Sequence, residues 1–415
     1  MKRKIKYILL TSLLAFGWAY LFNSQAGKLS PITPFAKEKT SESFIEAVAE
    51  STKKKTVGNL VLGTFQNGKL SHQFYYPEEQ DLNRYTMFQM ASVSKWVTSW
   101  GVHRLVEEGK LDLDKPVSQY LTRWQLPESE YDNNKVTVRN ILSHTAGFVD
   151  GLGYGGFDSL DETQTLEESL TKAADGNPFA SKTKVGYAPN TDYKYSGGGY
   201  TLMQLLIEEI SGRPFNDYMN EAVFKPLGMN RSTFVWSDTL DLTLAKFYDR
   251  DGSIAPHYRY TALAAASLYT CVEDLSLFLK ANADENSILS SATKQAMAKV
   301  TTLEDGNTIY HGMGPMLYGS NEDGDQIIGH EGGNRPAINT SVRFNLKTNE
   351  GYIVLSTGSN GIASSFGEEW VYHNTGIPMR GVRNRSKARF KPILYLGWIA
   401  ILIGAIFIYR KRRFL

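Results

Sequence analysis

Ser92 and Lys95, within Met90-Ala91-Ser92-Val93-Ser94-Lys95-Trp96, are spaced to act as a nucleophile and its base. A serine hydroxyl is a weak nucleophile at neutral pH and needs a base within hydrogen-bond reach. Residues three apart on a helix share a face, so the two side chains can meet. A lysine serves as that base only when burial or nearby positive charge lowers its pKa. The same spacing occurs at Ser51/Lys54, Ser169/Lys172, Ser181/Lys184 and Ser291/Lys294, in polar or Lys-rich surroundings typical of solvated surface pairs. Ser92 differs. It follows the largely apolar Met87-Phe88-Gln89-Met90 and opens a segment with Val93, Trp96, Val97, Trp100, Val102, Leu105 and Val106. A helix apolar on nearly all sides is buried. This one stops at Gly109, a usual C-cap residue.

Two later segments could join this pair. In Tyr193-Lys194-Tyr195-Ser196-Gly197-Gly198-Gly199-Tyr200 the glycines alone read as a turn before a helix starting near Thr201. Functionally, Tyr195 would be a phenol beside the nucleophile, and a phenolate next to a lysine ammonium can act as general base. Gly329-His330-Glu331-Gly332-Gly333 ends a strand. It is either a satisfied histidine before a turn or one wall of a site. In the second case Gly332 lets substrate backbone approach, and the Gly333 amide donates to an oxyanion.

The elements that must position these residues fall into three groups. Ser41 to Glu50 predicts a short amphipathic helix, and Val57 to Phe65 and Leu70 to Tyr76 flank the hairpin dipeptide Asn67-Gly68. From Ser92 to about Lys299 the pattern is mostly helical, with stretches at Val138 to Leu142, Thr201 to Ile210, Pro214 to Val223 and Asp274 to Ala281, the last preceded by a Thr270/Glu273 capping box. Strand patterns return at Gln326 to His330, Ile338 to Phe344 and Tyr352 to Thr357, followed by a helix around Ser364 to Tyr372. The economical packing is an α/β fold of the α+β type. A mostly antiparallel sheet is built from both chain ends, with flanking helices and a helical subdomain beside it.

With 415 residues the chain holds one large domain or two ordinary ones, and a net charge of +2 gives no sign of nucleic-acid binding. Cys271 is the only cysteine, so neither a disulfide framework nor a Cys-based zinc site is possible within one chain. There is no phosphate-binding loop, no Gly-x-Ser-x-Gly elbow and no zinc-protease helix, and no cofactor is expected. Both ends are apolar. A basic Met1-Lys2-Arg3-Lys4-Ile5-Lys6 precedes an apolar run ending at Phe22, which reads equally as a signal peptide or an anchor (residues 1–22). Residues 392–409 form an uncharged Leu/Ile-rich run, a transmembrane helix by length and composition, ahead of a basic tail at 410–415. Linkers are expected at 23–40 and 377–391, bracketing a domain at 41–376. The basic N-terminus should stay inside, leaving that domain outside the cell membrane and the C-terminus in the cytoplasm.

Taken together, the chemical segments resemble the serine beta-lactamase and penicillin-binding protein superfamily, in the branch of class C beta-lactamases, D-Ala-D-Ala carboxypeptidases and related esterases. Ser92-Val93-Ser94-Lys95 matches Ser-x-x-Lys, Tyr195-Ser196-Gly197 matches Tyr-x-Asn, and His330-Glu331-Gly332 matches Lys-Thr-Gly or its His-x-Gly variant. Leu142-Ser143-His144-Thr145-Ala146-Gly147, Phe224-Lys225-Pro226-Leu227-Gly228-Met229-Asn230 and the segment from Leu268 to Leu275 match as well, and the likeness runs from about residue 41 to 375. It implies a beta-lactamase/transpeptidase-like fold and a serine hydrolase acting through an acyl-enzyme. Ser92 would attack, Lys95 and Tyr195 would manage its proton, the amides of Ser92 and Gly333 would hold the oxyanion, and His330 would bind the substrate's anionic or leaving group. His144 would be structural.

The chain departs from the pattern twice. Gly197 replaces an Asn that in relatives holds the substrate's acyl side-chain amide, and His330 replaces a Lys. Both departures favour peptide or ester substrates, cell-wall-derived ones among them, over beta-lactams. Two alternatives stand beside this reading: a non-catalytic binding or sensor protein, and a weak class C-type beta-lactamase.

Overall fold

Asn67 and Gly68 adopt positive φ angles of 53° and 76°, the pair of left-handed residues a tight hairpin needs. They join β1 (Leu60–Gln66) to β2 (Lys69–Tyr76) in the computed structural model, which describes residues 2–29, 32–77, 81–151, 153–322, 324–334 and 338–411. Four strands from the far end of the chain complete this sheet: β3 (Met316–Ser320), β4 (Gln326–Asn334), β5 (Ile338–Asn345) and β6 (Glu350–Ser356). The order is β2-β1-β6-β5-β4-β3, antiparallel throughout. Leu60 pairs with Ser356 and Phe65 with Gly351, so the first hairpin is zipped onto the last strand. The antiparallel sheet built from both chain ends is the observed arrangement.

Alternate residues of a strand face opposite sides, and β6 shows what each side meets. Tyr352 turns to α2 (Ser41–Lys55), where Phe44 meets its ring edge-on at 6.2 Å. A Cβ at Gly351 would meet Leu279, on the other side of the sheet. Leu279 belongs to the helix Val272–Ala283, called α5 after α3 (Val93–Glu107) and α4 (Gly197–Ser211). Trp96 and Trp100 of α3 each pack 5.0 Å from Phe278 of α5, tying the helix that follows Ser92 to the sheet's inner layer. Short helices at Val138–Leu142, Leu166–Thr171 and Phe215–Met219 form the helical subdomain.

Three expectations need correction. The N-cap of α5 is Cys271, with no side-chain capping bond, because the Thr270 hydroxyl pairs with Ser232 Oγ at 2.7 Å instead. The strand expected to stop at His330 continues to Asn334, because Glu331 to Asn334 find partners on β5. Residues 23–29 and 380–388, expected in linkers, are helical.

The chain divides into two compact units, residues 38–367 and the two ends, residues up to 37 with those from 368 onward. The boundary falls in α6 (Ile362–Thr375). The second unit contains α1 (Lys2–Leu29), α7 (Arg380–Ala388) and α8 (Lys391–Lys411). Within it, Trp18 Nε1 donates to Leu394 O at 3.0 Å and Trp398 Nε1 to Ala15 O at 3.1 Å. Lys391–Arg410 is long and apolar enough to cross a membrane, whereas the apolar part of α1, Ile8–Ser24, is shorter. Of the expected basic tail, residues 412–415 lie outside the described residues.

Arg343 of β5 is wholly buried. Its guanidinium lies 3.4 Å from the Tyr318 ring centre, donates to His330 O at 3.3 Å and pairs with Glu331. Removing one member of a buried pair typically costs about 3–5 kcal/mol. Because Glu331 is partly open to water, Arg343→Ala is expected at the lower end, about 3 kcal/mol in urea unfolding. A loss below about 1 kcal/mol would assign the pair no structural weight.

Candidate active site

Ala91 takes a left-handed φ of 46°, which costs a non-glycine residue on the order of 1–3 kcal/mol. The kink sets Ser92 at the N-cap of α3. Serine is a favoured N-cap, with capping worth about 1 kcal/mol, yet the Ser92 hydroxyl caps nothing. It faces Lys95 Nζ at 3.2 Å and hydrogen-bonds the Tyr195 phenol. Ser94 locks the turn, donating to Ala91 O at 2.6 Å and accepting from Leu268 N at 2.9 Å.

Lys95 is buried and donates to Ala265 O at 2.8 Å. Its Nζ sits 5.0 Å from the Tyr195 ring centre and 5.7 Å from that of Tyr200. Burial pulls its pKa down to about 7, opposed by the carboxylate of Asp150. Burial also raises the Tyr195 phenol well above its ordinary pKa, and the bond from Ser92 offsets this only in part. The phenolate considered from sequence is therefore the disfavoured form, because desolvation outweighs any help from Lys95. The structure brings Ser92, Lys95 and Tyr195 into one contact group.

The segment carrying Tyr195 is held from behind. Ser196 N donates to His144 Nδ1 at 3.0 Å, Ser196 Oγ to Asp150 Oδ1 at 2.5 Å, and Gly198 N to Asp150 Oδ2 at 2.7 Å. Ser196 Oγ also accepts from Gly199 N at 2.8 Å, capping α4. The His144 ring lies 4.3 Å from that of Tyr195, and burial holds its pKa well below the usual histidine range. Burial lifts Asp150 to about 6. A Cβ at Gly197 would come within 2.8 Å of the Tyr154 ring, so Tyr154 fills the space beside this position.

β4 supplies the opposite wall. A Cβ at Gly332 would stand 2.0 Å from Met90 O and 2.4 Å from Thr340 Oγ1, which itself donates to Met90 O at 2.9 Å. The bare glycine backbone lets β4 press against the turn that carries Ser92. Gly333, the next residue, is exposed, with its nearest would-be Cβ contact at 3.6 Å. His330 stands 6.4 Å from the Tyr195 ring but is fully enclosed. Its Nδ1 donates to Glu331 O at 2.7 Å, and burial keeps it neutral. Enclosure disfavours the imidazolium form, so burial works against the positive charge that an anionic substrate group would meet at His330. Among the described residues no group of three His, Cys, Asp or Glu side chains is placed to hold a metal ion.

Asp150, Tyr154 and His311, whose ring lies 4.9 Å from His144 and 6.2 Å from His330, were not singled out in the sequence. They reach the site from loops and a bridge at no fixed spacing from Ser92.

The family model described as Beta-lactamase matches residues 44–377. A penicillin-binding protein of Bacillus subtilis is 28% identical over 63% of this chain and 59% of its own length. The chain spans less than two thirds of the length of the curated relatives it matches first. Among solved structures, the octameric penicillin-binding protein homologue from Pyrococcus abyssi superposes with a TM-score of 0.65 at 22% identity, covering 81% of this chain and 78% of that one. The D-stereospecific amidohydrolase from Streptomyces sp. superposes at 0.64 and 17% identity, covering 81% of this chain and all of the other (100%). These likenesses establish a beta-lactamase/transpeptidase-like fold.

Gly332 and Gly333 of β4 separate by experiment. Gly332→Ala is expected to push the strand off the Met90 carbonyl, cost about 1–3 kcal/mol and suppress covalent labelling of Ser92. Gly333→Ala should fold as the parent does. Equal thermal midpoints for the two variants would show that the approach to Met90 is not tight.

Proposed function

Because this chain belongs to the beta-lactamase family, we propose that it is a serine hydrolase that works through an acyl-enzyme on small peptide, amide or ester substrates. The observation that carries this reading is the 3.2 Å approach of a buried Lys95 amine to the Ser92 hydroxyl. With its pKa near 7, Lys95 is substantially neutral at physiological pH and has a lone pair for the serine proton. Ser92 Oγ bonds to the substrate carbonyl carbon while its proton passes to Lys95 Nζ. The amides of Ser92 and Gly333 donate to the resulting oxyanion. Tyr195, kept as a phenol, relays a proton to the leaving group as the acyl–leaving-group bond breaks and is reprotonated from Lys95. Water then attacks the ester on Ser92 by the same route and restores the hydroxyl. The name of one similar protein, a D-stereospecific amidohydrolase, supports acyl transfer from amides. The neutral His330 and the Tyr154 ring beside Gly197 favour esters and peptides over beta-lactams.

The experiment is labelling with a fluorophosphonate, read by intact mass. The parent is expected to gain one adduct, and Ser92→Ala none at a near-parental thermal midpoint. The rate should depend on pH with a defined sign: the ammonium form of Lys95 has no lone pair, so labelling falls as pH drops through about 7. Full labelling of Ser92→Ala, or a rate flat from about pH 5 to 9, would remove the assignment.

Anchoring is part of the same proposal. The apolar helix at Lys391–Arg410 would cross the membrane, with the basic N-terminal flank inside and the hydrolase unit outside. Protease added to intact cells should digest the central unit and spare a tag fused after Leu415. Protection of the central unit until lysis would reverse this topology.

A further inference from the structure

We infer that Tyr154, strapped in place through Asn334, closes the acyl end of the candidate cleft and restricts the enzyme to short acyl groups. This rests on the hydrolase reading above and adds which substrates that site accepts.

β4 gives the cleft a direction. His330 lies beside Tyr195, the proton donor, so the leaving group belongs at that end. Gly333 carries the oxyanion amide. Asn334, four residues beyond His330 and about 13 Å along the strand, marks the other end, where the acyl chain must run. That end is shut. Asn334 Nδ2 donates to Gly155 O at 3.2 Å and also pairs with the Tyr260 phenol. The adjoining Tyr154 places its ring against Gly197, where a Cβ would fall 2.8 Å from Cε2, and its hydroxyl pairs with Thr201 Oγ1 at 2.7 Å. The strap thus joins the two walls of the cleft, β4 and the start of α4.

The strap is also fastened from behind. Gly155 N donates to Asp175 O at 2.6 Å and Gly156 N to Asp175 Oδ2 at 3.1 Å. Phe157 and Arg259 exchange two backbone bonds, each 2.8 Å. A ring anchored at its edge and its hydroxyl, on a segment bonded to three neighbouring segments, does not yield to a long chain without breaking several bonds. Overfilling such a space is costly.

The test uses the full-length protein and 4-nitrophenyl esters of acetate, butyrate and octanoate. In the parent, kcat/KM is expected to fall about tenfold or more from acetate to octanoate. Tyr154→Ala should raise the octanoate-to-acetate ratio by about tenfold, while Tyr154→Phe, which keeps the ring, should leave the ratio as in the parent. Asn334→Ala, which releases Gly155 and the Tyr260 phenol but leaves the Tyr154 ring in the chain, should raise the ratio as well, and it carries the test if Tyr154→Ala does not fold. Fluorophosphonate labelling of each protein runs alongside. A labelled parent whose ratio is unmoved by both Tyr154→Ala and Asn334→Ala overturns this inference and leaves the hydrolase reading intact. A parent that takes no label overturns both.

Discussion

The desolvation of one amine is the constraint on which the site depends. An exposed lysine is an ammonium at neutral pH and cannot accept a proton. Lys95 escapes this because it is itself buried, in a helix whose residues from Val93 to His103 are all buried and whose Trp96 and Trp100 pack on Phe278. The amine is not left unsatisfied, since it donates to Ala265 O and meets Ser92 Oγ. Burial alone would abandon a polar group at a cost, and hydrogen bonding alone would leave it charged. The combination favours the neutral amine that the proposed role of base requires.

The sheet is organised to serve that turn. Its central strands β1 and β6 come from opposite ends of the chain and pair along their length, and β5 and β4 extend the sheet toward α3. The contact that results is unusually close, with the Gly332 backbone lying against Met90 O. Arg343 supports it from the next strand, bonding His330 O and pairing with Glu331, so β4 is held just ahead of Gly332. Strain is admitted where it has a use: Ala91 sits in a left-handed conformation to turn Ser92 inward, and the serine forgoes its capping bond.

Much of this was legible in the sequence, for identifiable reasons. The Asn67-Gly68 turn, the buried periodicity of α3 and the strands expected at Ile338 to Phe344 and Tyr352 to Thr357 are local patterns, and local patterns persist into the fold. The Ser92/Lys95 pair is likewise set by helix geometry alone. What could not be read depends on contacts between distant segments. The Thr270/Glu273 capping box fitted its template, but Ser232 lies close enough to take the hydroxyl. β4 runs beyond His330 because β5 offers partners, which its own residues do not reveal. Asp150 and Tyr154 act on Ser196 and Gly197 from a loop more than forty residues earlier. The protonation preferences of Tyr195 and His330 follow from enclosure, which no motif encodes.

That enclosure gives the site a common character. Burial drives Lys95, His144, His311 and His330 toward their neutral forms and keeps Tyr195 a phenol. Asp150 is pushed the same way, and its two oxygens are engaged by Ser196 and Gly198. Lys95 and these histidines thus add little positive charge around Ser92, and under the proposed function discrimination falls to shape. In this chain the space that a side chain at position 197 would fill is taken by an aromatic ring from another loop. Under the proposed function, the loss of a polar contact at Gly197 and the gain of a wall at Tyr154 are one change, from a site that reads hydrogen bonds to one that reads size.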